Sequence, residues 1–154
     1  MRLYLVQHGE AKPKEEDPER PLTEIGTRNV EKMAEFLGTN NLQVLAVWHS
    51  GKRRAEQTTE ILEASIGAGG YLHEQEGLSP NDAVGPIVEE INGLDDDLMI
   101  VGHLPFLGKL VTALVAGSDS GDVVAFRQGG VVCLERDEEG VWRVAWMVTP
   151  DLVD

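Results

Sequence analysis

A single cysteine, few aromatic side chains (5%) and a shortage of positive charge set the first limits on this 154-residue chain. One cysteine cannot form an internal disulfide or supply a cysteine-based metal cluster. Cys133 sits in the apolar run Gly130-Val131-Val132-Cys133-Leu134, where a thiol packs as a small hydrophobe. Lysine and arginine number 13 against 27 acidic residues, a net charge of −14. Nucleic acid and anionic membrane surfaces demand a basic face, so neither is expected as a partner. No apolar stretch approaches the ~20 residues of a membrane span. The opening strand is interrupted too soon for a signal peptide, and the chain reads as cytoplasmic. The acidic runs Glu15-Glu16-Asp17, Asp95-Asp96-Asp97 and Asp137-Glu138-Glu139 lack the spacing of a calcium loop, and there is no HExxH pair. They read as solvated turns, and no metal or cofactor is expected.

What is present is an ordinary globular complement, 42% hydrophobic and 26% charged, enough for one domain over 1–154 with its own core. Residues 2–7 predict a buried strand, and residues 8–22, with Pro13, Pro18 and Pro21, a loop bordering a site. Thr23 is placed to cap a helix whose Val30, Met33, Ala34 and Leu37 share one face and which Gly38 ends. A strand over 43–48 is followed by a helix over about 52–65, closed by Gly67, Gly69 and Gly70, and by a short strand at Tyr71-Leu72-His73. Ile87, Val88 and Ile91 mark a helix starting near Pro86, and 98–101 is a continuous apolar strand. Leu107, Leu110, Val111 and Leu114 mark a helix with Pro105 in its first turn and Gly117 at its end. Residues 123–126, 130–136 and 141–148 read as strands, the last two joined by a turn at 137–140. The fold class expected is α/β: a three-layer sandwich with a mixed, mostly parallel central sheet flanked by helices.

Two of these strands end in Gly and His. Gln7-His8-Gly9-Glu10 follows the first, and Gly102-His103-Leu104-Pro105 follows the strand at 98–101. Open α/β sheets keep their ligand sites at that carboxyl edge. Between them, His49-Ser50-Gly51-Lys52-Arg53-Arg54 is a cationic strand exit leading into a helix. Phosphoryl transfer needs an in-line nucleophile and donors around the equatorial oxygens. Neutral imidazole, with an unperturbed pKa of about 6.5, is a competent nucleophile near neutrality. His8 has the context for that role, beside a glycine, Gly9, that lets the backbone come close. His103 opens a helix, where free amides and an imidazole donor favour an anion. Arg54 brings a planar fork in the first turn of its helix, and Arg20 reaches in from the loop. His49 and Lys52 share the strand-exit segment and are candidates for shaping the pocket, with Leu104 beside His103. Arg28, Arg53 and His73 read as solvated or structural.

The segments Gln7-His8-Gly9-Glu10, Arg20-Pro21-Leu22-Thr23 with Gly26, Ser50 to Thr58 and Gly102-His103-Leu104-Pro105 resemble, in that order, the histidine phosphatase superfamily. The short chain, with no large helical insert, looks like the SixA-type phosphohistidine phosphatases. The resemblance runs over essentially the full length and implies a phosphoglycerate mutase-like fold and metal-independent chemistry. It implies His8 as the phosphorylated nucleophile, Arg54 and His103 holding the phosphoryl group, and Arg20 assisting. Gln7, Gly9, Lys52, His49 and Leu104 complete the expected binding set. Phosphate or sulfate would occupy the site, and the implied substrate is a phosphohistidine-containing protein of signal transduction.

One departure stands out. Family members usually read Arg-His-Gly, and Gln7 removes a full positive charge from a cluster that must stabilise a dianion. Its amide still donates, and Lys52 is the candidate to restore part of the charge. The general acid is open among Glu10, Glu74 and Glu76. Two other readings remain: a phosphatase for small phosphate monoesters, and a phosphoprotein-binding module weakened in catalysis by Gln7.

Overall fold

Alternate residues of the first strand feed two separate cores, which is what a sheet covered on both faces requires. Leu3 and Leu5 join one apolar cluster with Ile87, Ile91, Phe106, Leu107, Leu110 and Val111. Tyr4 and Val6 join the other, with Val30, Met33, Leu37, Ala55 and Leu62. The computed structural model describes residues 1–154 except for the side chains of 68–71. Its elements are β1 (Arg2–Gln7), α1 (Glu24–Thr39), β2 (Gln43–His49), α2 (Arg53–Glu63), β3 (Gly67–Glu74), α3 (Gly85–Asn92), β4 (Leu98–Gly102), α4 (Phe106–Ala116), β5 (Val131–Arg136) and β6 (Trp142–Val148).

The sheet order is β3-β2-β4-β1-β5-β6. Strands β3, β2, β4 and β1 pair in parallel, and β5 runs antiparallel to both β1 and β6. Helices α1 and α2 cover one face, and α3 and α4 the other. This is an α/β sandwich with a mixed sheet, as the sequence predicts. Fully buried side chains such as Met33 and Leu110 hold the layers together; truncation of either to alanine would cost about 2–5 kcal/mol.

Local details follow from identifiable residues. Thr23 caps α1 by accepting the Gly26 N–H at 2.9 Å. Gly38 does not end that helix, which runs to Thr39. A Cβ at Gly38 would stand 2.7 Å from the Ser65 carbonyl, so the glycine serves close approach to the segment after α2. Pro105 sits at the N-cap of α4 rather than within its first turn.

Two further expectations are overturned. Gly67, Gly69 and Gly70, read as helix terminators, lie in β3, which begins at Gly67 and pairs with β2. The other is the strand expected at 123–126, which is irregular chain. Both sides of β5 are taken, by β1 and β6, so this segment finds no open ladder beside it. It lies along α4 instead, where Thr112 Oγ1 donates to the Gly121 carbonyl at 3.4 Å and Phe126 is buried.

Candidate functional site

Gln7 and Gly102 face each other across the β1–β4 pair, so the residues that follow them leave the sheet side by side. The His8 amide donates to the Gly102 carbonyl at 3.0 Å. The imidazoles of His8 and His103 end up with centroids 5.0 Å apart and planes tilted by 52°. Both are buried, at 7% and 1% exposure. The sheet thus brings together two histidines that lie far apart in the chain, at the carboxyl ends of adjacent parallel strands.

Their proton positions follow from their partners. His8 Nδ1 lies 2.7 Å from the Gly9 carbonyl, which only accepts, so Nδ1 carries the hydrogen. In the neutral ring the lone pair is then on Nε2. Burial pushes the His8 pKa down to about 4 against the Gly9 bond, and Arg54 and Arg20 add to the depression. His103 is held at about 3 by burial, then by His8, Arg54, Lys52 and Arg20. His103 Nε2 meets the Ser50 hydroxyl at 2.5 Å. The Lys52 amide donates to that same oxygen at 3.3 Å, which leaves the hydroxyl hydrogen free to bond Nε2. In that arrangement His103 carries its proton on Nδ1, a buried atom with no protein partner. A buried, unsatisfied donor costs about 1–3 kcal/mol, and an acceptor oxygen at that position would relieve it.

The cations around the rings share a second property. Arg54 enters from the first turn of α2, and its buried Nε has no hydrogen-bond partner. Burial and Arg20 hold its pKa below the usual arginine value. Arg20 adopts a left-handed backbone (φ 50°), uncommon for a residue with a side chain. Its Nε donates to the Lys12 carbonyl at 3.1 Å. Its loop is tied down by Leu22, whose amide donates to Gln57 Oε1 on α2 at 2.8 Å. Among the described residues, no ion pair engages Arg20, Lys52 or Arg54. By contrast, Arg53 pairs with Glu56 at 2.6 Å and Arg28 with Glu24 at 2.6 Å, both on helix surfaces. Two buried imidazoles beside the half-buried Arg54 and Arg20, which pair with no carboxylate among the described residues, suit an anion of two or more charges.

The remaining sequence candidates fall around this centre. Gln7 is 9% exposed, with its Oε1 buried and unpartnered. Lys52 is the N-cap residue of α2, and its charge bears on His103. Leu104 stands on the rim at 41% exposure. His49 is buried, and its Nδ1 accepts the Gly51 amide at 3.1 Å, so it shapes the turn. Gly9 packs against α1, where a Cβ would meet Val30 Cγ2 at 2.8 Å, and its amide is engaged by Thr58 Oγ1 at 3.0 Å. His73 bonds Gln75 at 3.1 Å. Sequence reasoning assigned no role to Thr58 or Ser50. Their signals were position: Thr58 is one helical turn after Arg54, and Ser50 ends the strand exit. Among the described residues, no three His, Cys, Asp or Glu side chains group to hold a metal ion.

The description of the histidine phosphatase superfamily, branch 1, matches residues 3–79. The chain belongs to the histidine phosphatase superfamily. It is 30% identical over 141 residues to an uncharacterized protein of Picosynechococcus, covering 87% of this chain and 84% of that one. It is 26% identical over 155 residues to the phosphohistidine phosphatase SixA of Escherichia coli K12, covering 97% of this chain and 94% of the relative. A structure of the protein histidine phosphatase SixA complexed with tungstate superposes with a TM-score of 0.86 at 25% identity, over 99% of both chains. Membership makes this chain a phosphatase of SixA-like type, with the phosphoglycerate mutase-like fold.

Proposed function

We propose that the protein hydrolyses phosphohistidine on a phosphotransfer protein through a covalent intermediate on His8. The observation that carries this reading is the pair of buried imidazoles 5.0 Å apart, beside Arg54 and Arg20, which no carboxylate neutralises among the described residues. His8 Nε2 attacks phosphorus, and the bond from phosphorus to the substrate nitrogen breaks. The leaving imidazole takes up a proton. Water then attacks phospho-His8 and releases phosphate, and the ring returns with its lone pair on Nε2. Arg54, Arg20 and His103 Nδ1–H hold the phosphoryl oxygens, where the transition-state charge is spread. Gln7 donates through its amide, and Lys52 supplies charge from the rim.

Of the three glutamates considered as proton donor, Glu10 is engaged, its Oε2 accepting the Thr23 hydroxyl at 2.6 Å. Glu74 is the candidate this reading adopts. A Cβ on Gly51 would fall 1.7 Å from Glu74 Oε1, so the carboxylate lies directly on the turn that carries Ser50. An imidazole leaves more readily than an alkoxide, so a rim carboxylate suffices for phosphoramidates. Similarity to SixA over nearly the whole chain supports the same substrate class.

The deciding experiment follows hydrolysis of a phosphohistidine domain in EDTA, for wild type and His8→Ala. Chelator-resistant turnover that the variant loses, with inorganic phosphate still bound, supports the reading. Turnover that survives loss of His8 overturns it.

A further inference from the structure

We propose that the groove between α4 and residues 121–126 is a docking surface for the apolar patch that flanks the phosphohistidine on a partner protein. This rests on the phosphohistidine-protein reading above. The groove is lined by the apolar residues Leu104, Pro105, Val124, Ala125 and Phe126, with Lys109 and Asp122 also on its wall. It begins at Leu104, the residue after His103, and so lies beside the phosphoryl site. The depth of that site dictates what lies on the rim. His8 is 7% exposed and His103 1%, so a substrate imidazole must be inserted almost completely. The backbone that carries it, and the side chains on either side, are then pressed onto whatever surrounds the mouth.

That surround has two unlike sides. One is polar, formed by Glu19, Gly51, Lys52, Arg53 and Glu56. The other is this groove, where the lining residue Leu104 is 41% exposed; Val123, which precedes the lining residue Val124 in the chain, is 56% exposed. Exposed leucine and valine at the edge of a charged site gain nothing from water, and an apolar partner surface covers them. The groove is also preformed. Gly108 and Gly121 place no side chain in it, Thr112 Oγ1 donates to the Gly121 carbonyl at 3.4 Å, and Phe126 anchors the far wall at 7% exposure. A preformed, largely apolar trough gives affinity with little ordering cost. The free amino acid phosphohistidine has nothing to lay in it, so the groove raises kcat/KM only for a protein substrate.

Ala125 is exposed, lines the groove and touches no proposed catalytic group. The test compares Ala125→Glu and Ala125→Arg with wild type on two probes, free phosphohistidine and a phosphohistidine-bearing four-helix phosphotransfer domain. Both variants are expected to lower kcat/KM on the domain about tenfold and to leave it within about twofold on the amino acid. Equal activity of wild type and both variants on the domain overturns the groove and leaves the phosphohistidine chemistry standing. Loss with only one sign of charge assigns a charged rather than an apolar partner surface and also overturns it. Sedimentation of the same samples covers the remaining occupant: a wild-type dimer dispersed by both variants gives the groove to a second copy of this chain. Failure of wild type on both probes overturns the reading beneath, and the docking role with it.

Discussion

Thr58 Oγ1 accepts the Gly9 amide at 3.0 Å and donates its own hydrogen to the Arg54 carbonyl at 2.8 Å. One hydroxyl thereby joins the residue after the proposed nucleophile to the residue that brings the guanidinium. The oxygen is fully buried, so water cannot take its place. Thr58→Val keeps the shape and removes both bonds, leaving the Gly9 amide unpaired. The expected result is a loss of about 1–3 kcal/mol in stability, and a fall in kcat larger than any change in KM. Thr58→Ser should restore most of both. Chemical denaturation and steady-state kinetics on the three proteins check it.

Gln7→Arg is expected to raise phosphate affinity and turnover by about tenfold. A charged hydrogen bond is worth roughly 1.5–3 kcal/mol against about 1 for a neutral one, and 1.36 kcal/mol is a factor of ten. The unpartnered Oε1 of Gln7 means that no existing bond of that atom is sacrificed. Isothermal titration with inorganic phosphate, followed by turnover on phosphohistidine, measures both quantities. Unchanged values would show that the missing charge is already supplied elsewhere.

Lys52→Ala addresses that supply. Lys52 acts on His103 through its charge from an exposed N-cap position, so its effect is screened by solvent. Phosphate affinity should weaken by about two- to fivefold at low ionic strength and by less in high salt. In the Gln7→Arg background the same change should cost less, because the added guanidinium makes the ammonium redundant. Titrations at two salt concentrations separate these cases.

The buried histidines also make stability depend on pH. Their folded pKa values, about 4 for His8 and about 3 for His103, lie below the unfolded value of about 6.5. Between those limits the unfolded chain binds more protons than the folded one, so acidification favours unfolding. The stabilisation is complete above pH 6.5 and is lost as pH falls through about 4 for His8 and about 3 for His103. Thermal melts over this range should show a steeper loss for wild type than for His103→Gln. Added phosphate should flatten the wild-type curve, since a bound anion favours the protonated rings.

Much of the frame was legible because its signals are local. Thr23 marks the start of α1, the apolar run at 98–101 marks a strand buried on both faces, and the glycine-histidine endings mark the carboxyl edge. The pairing of His8 with His103 was legible only through the shared pattern of their strands. The rest depends on tertiary context. Val123, Val124 and Phe126 have the composition of a strand, yet β5 has no free side to accept them. Gly67 reads as a helix stop because a glycine after a helix commonly is one; here β2 recruits that chain into the sheet. The bonds of Ser50 and Thr58 join residues 53 and 49 positions apart, and no local pattern encodes a hydrogen bond of that span. Gly9 was legible as a close-approach residue, and the structure places Val30 on α1 against it.

The short contact between His8 Nδ1 and the carbonyl of the very next residue has a consequence for regiochemistry. With one ring nitrogen committed to the main chain, phosphorylation in the proposed mechanism is directed to the other, and the proposed covalent intermediate forms as a single positional isomer, whatever the substrate. The choice of isomer is therefore a property of the backbone at Gly9, inherited with the fold and insensitive to changes in the side chains that line the mouth.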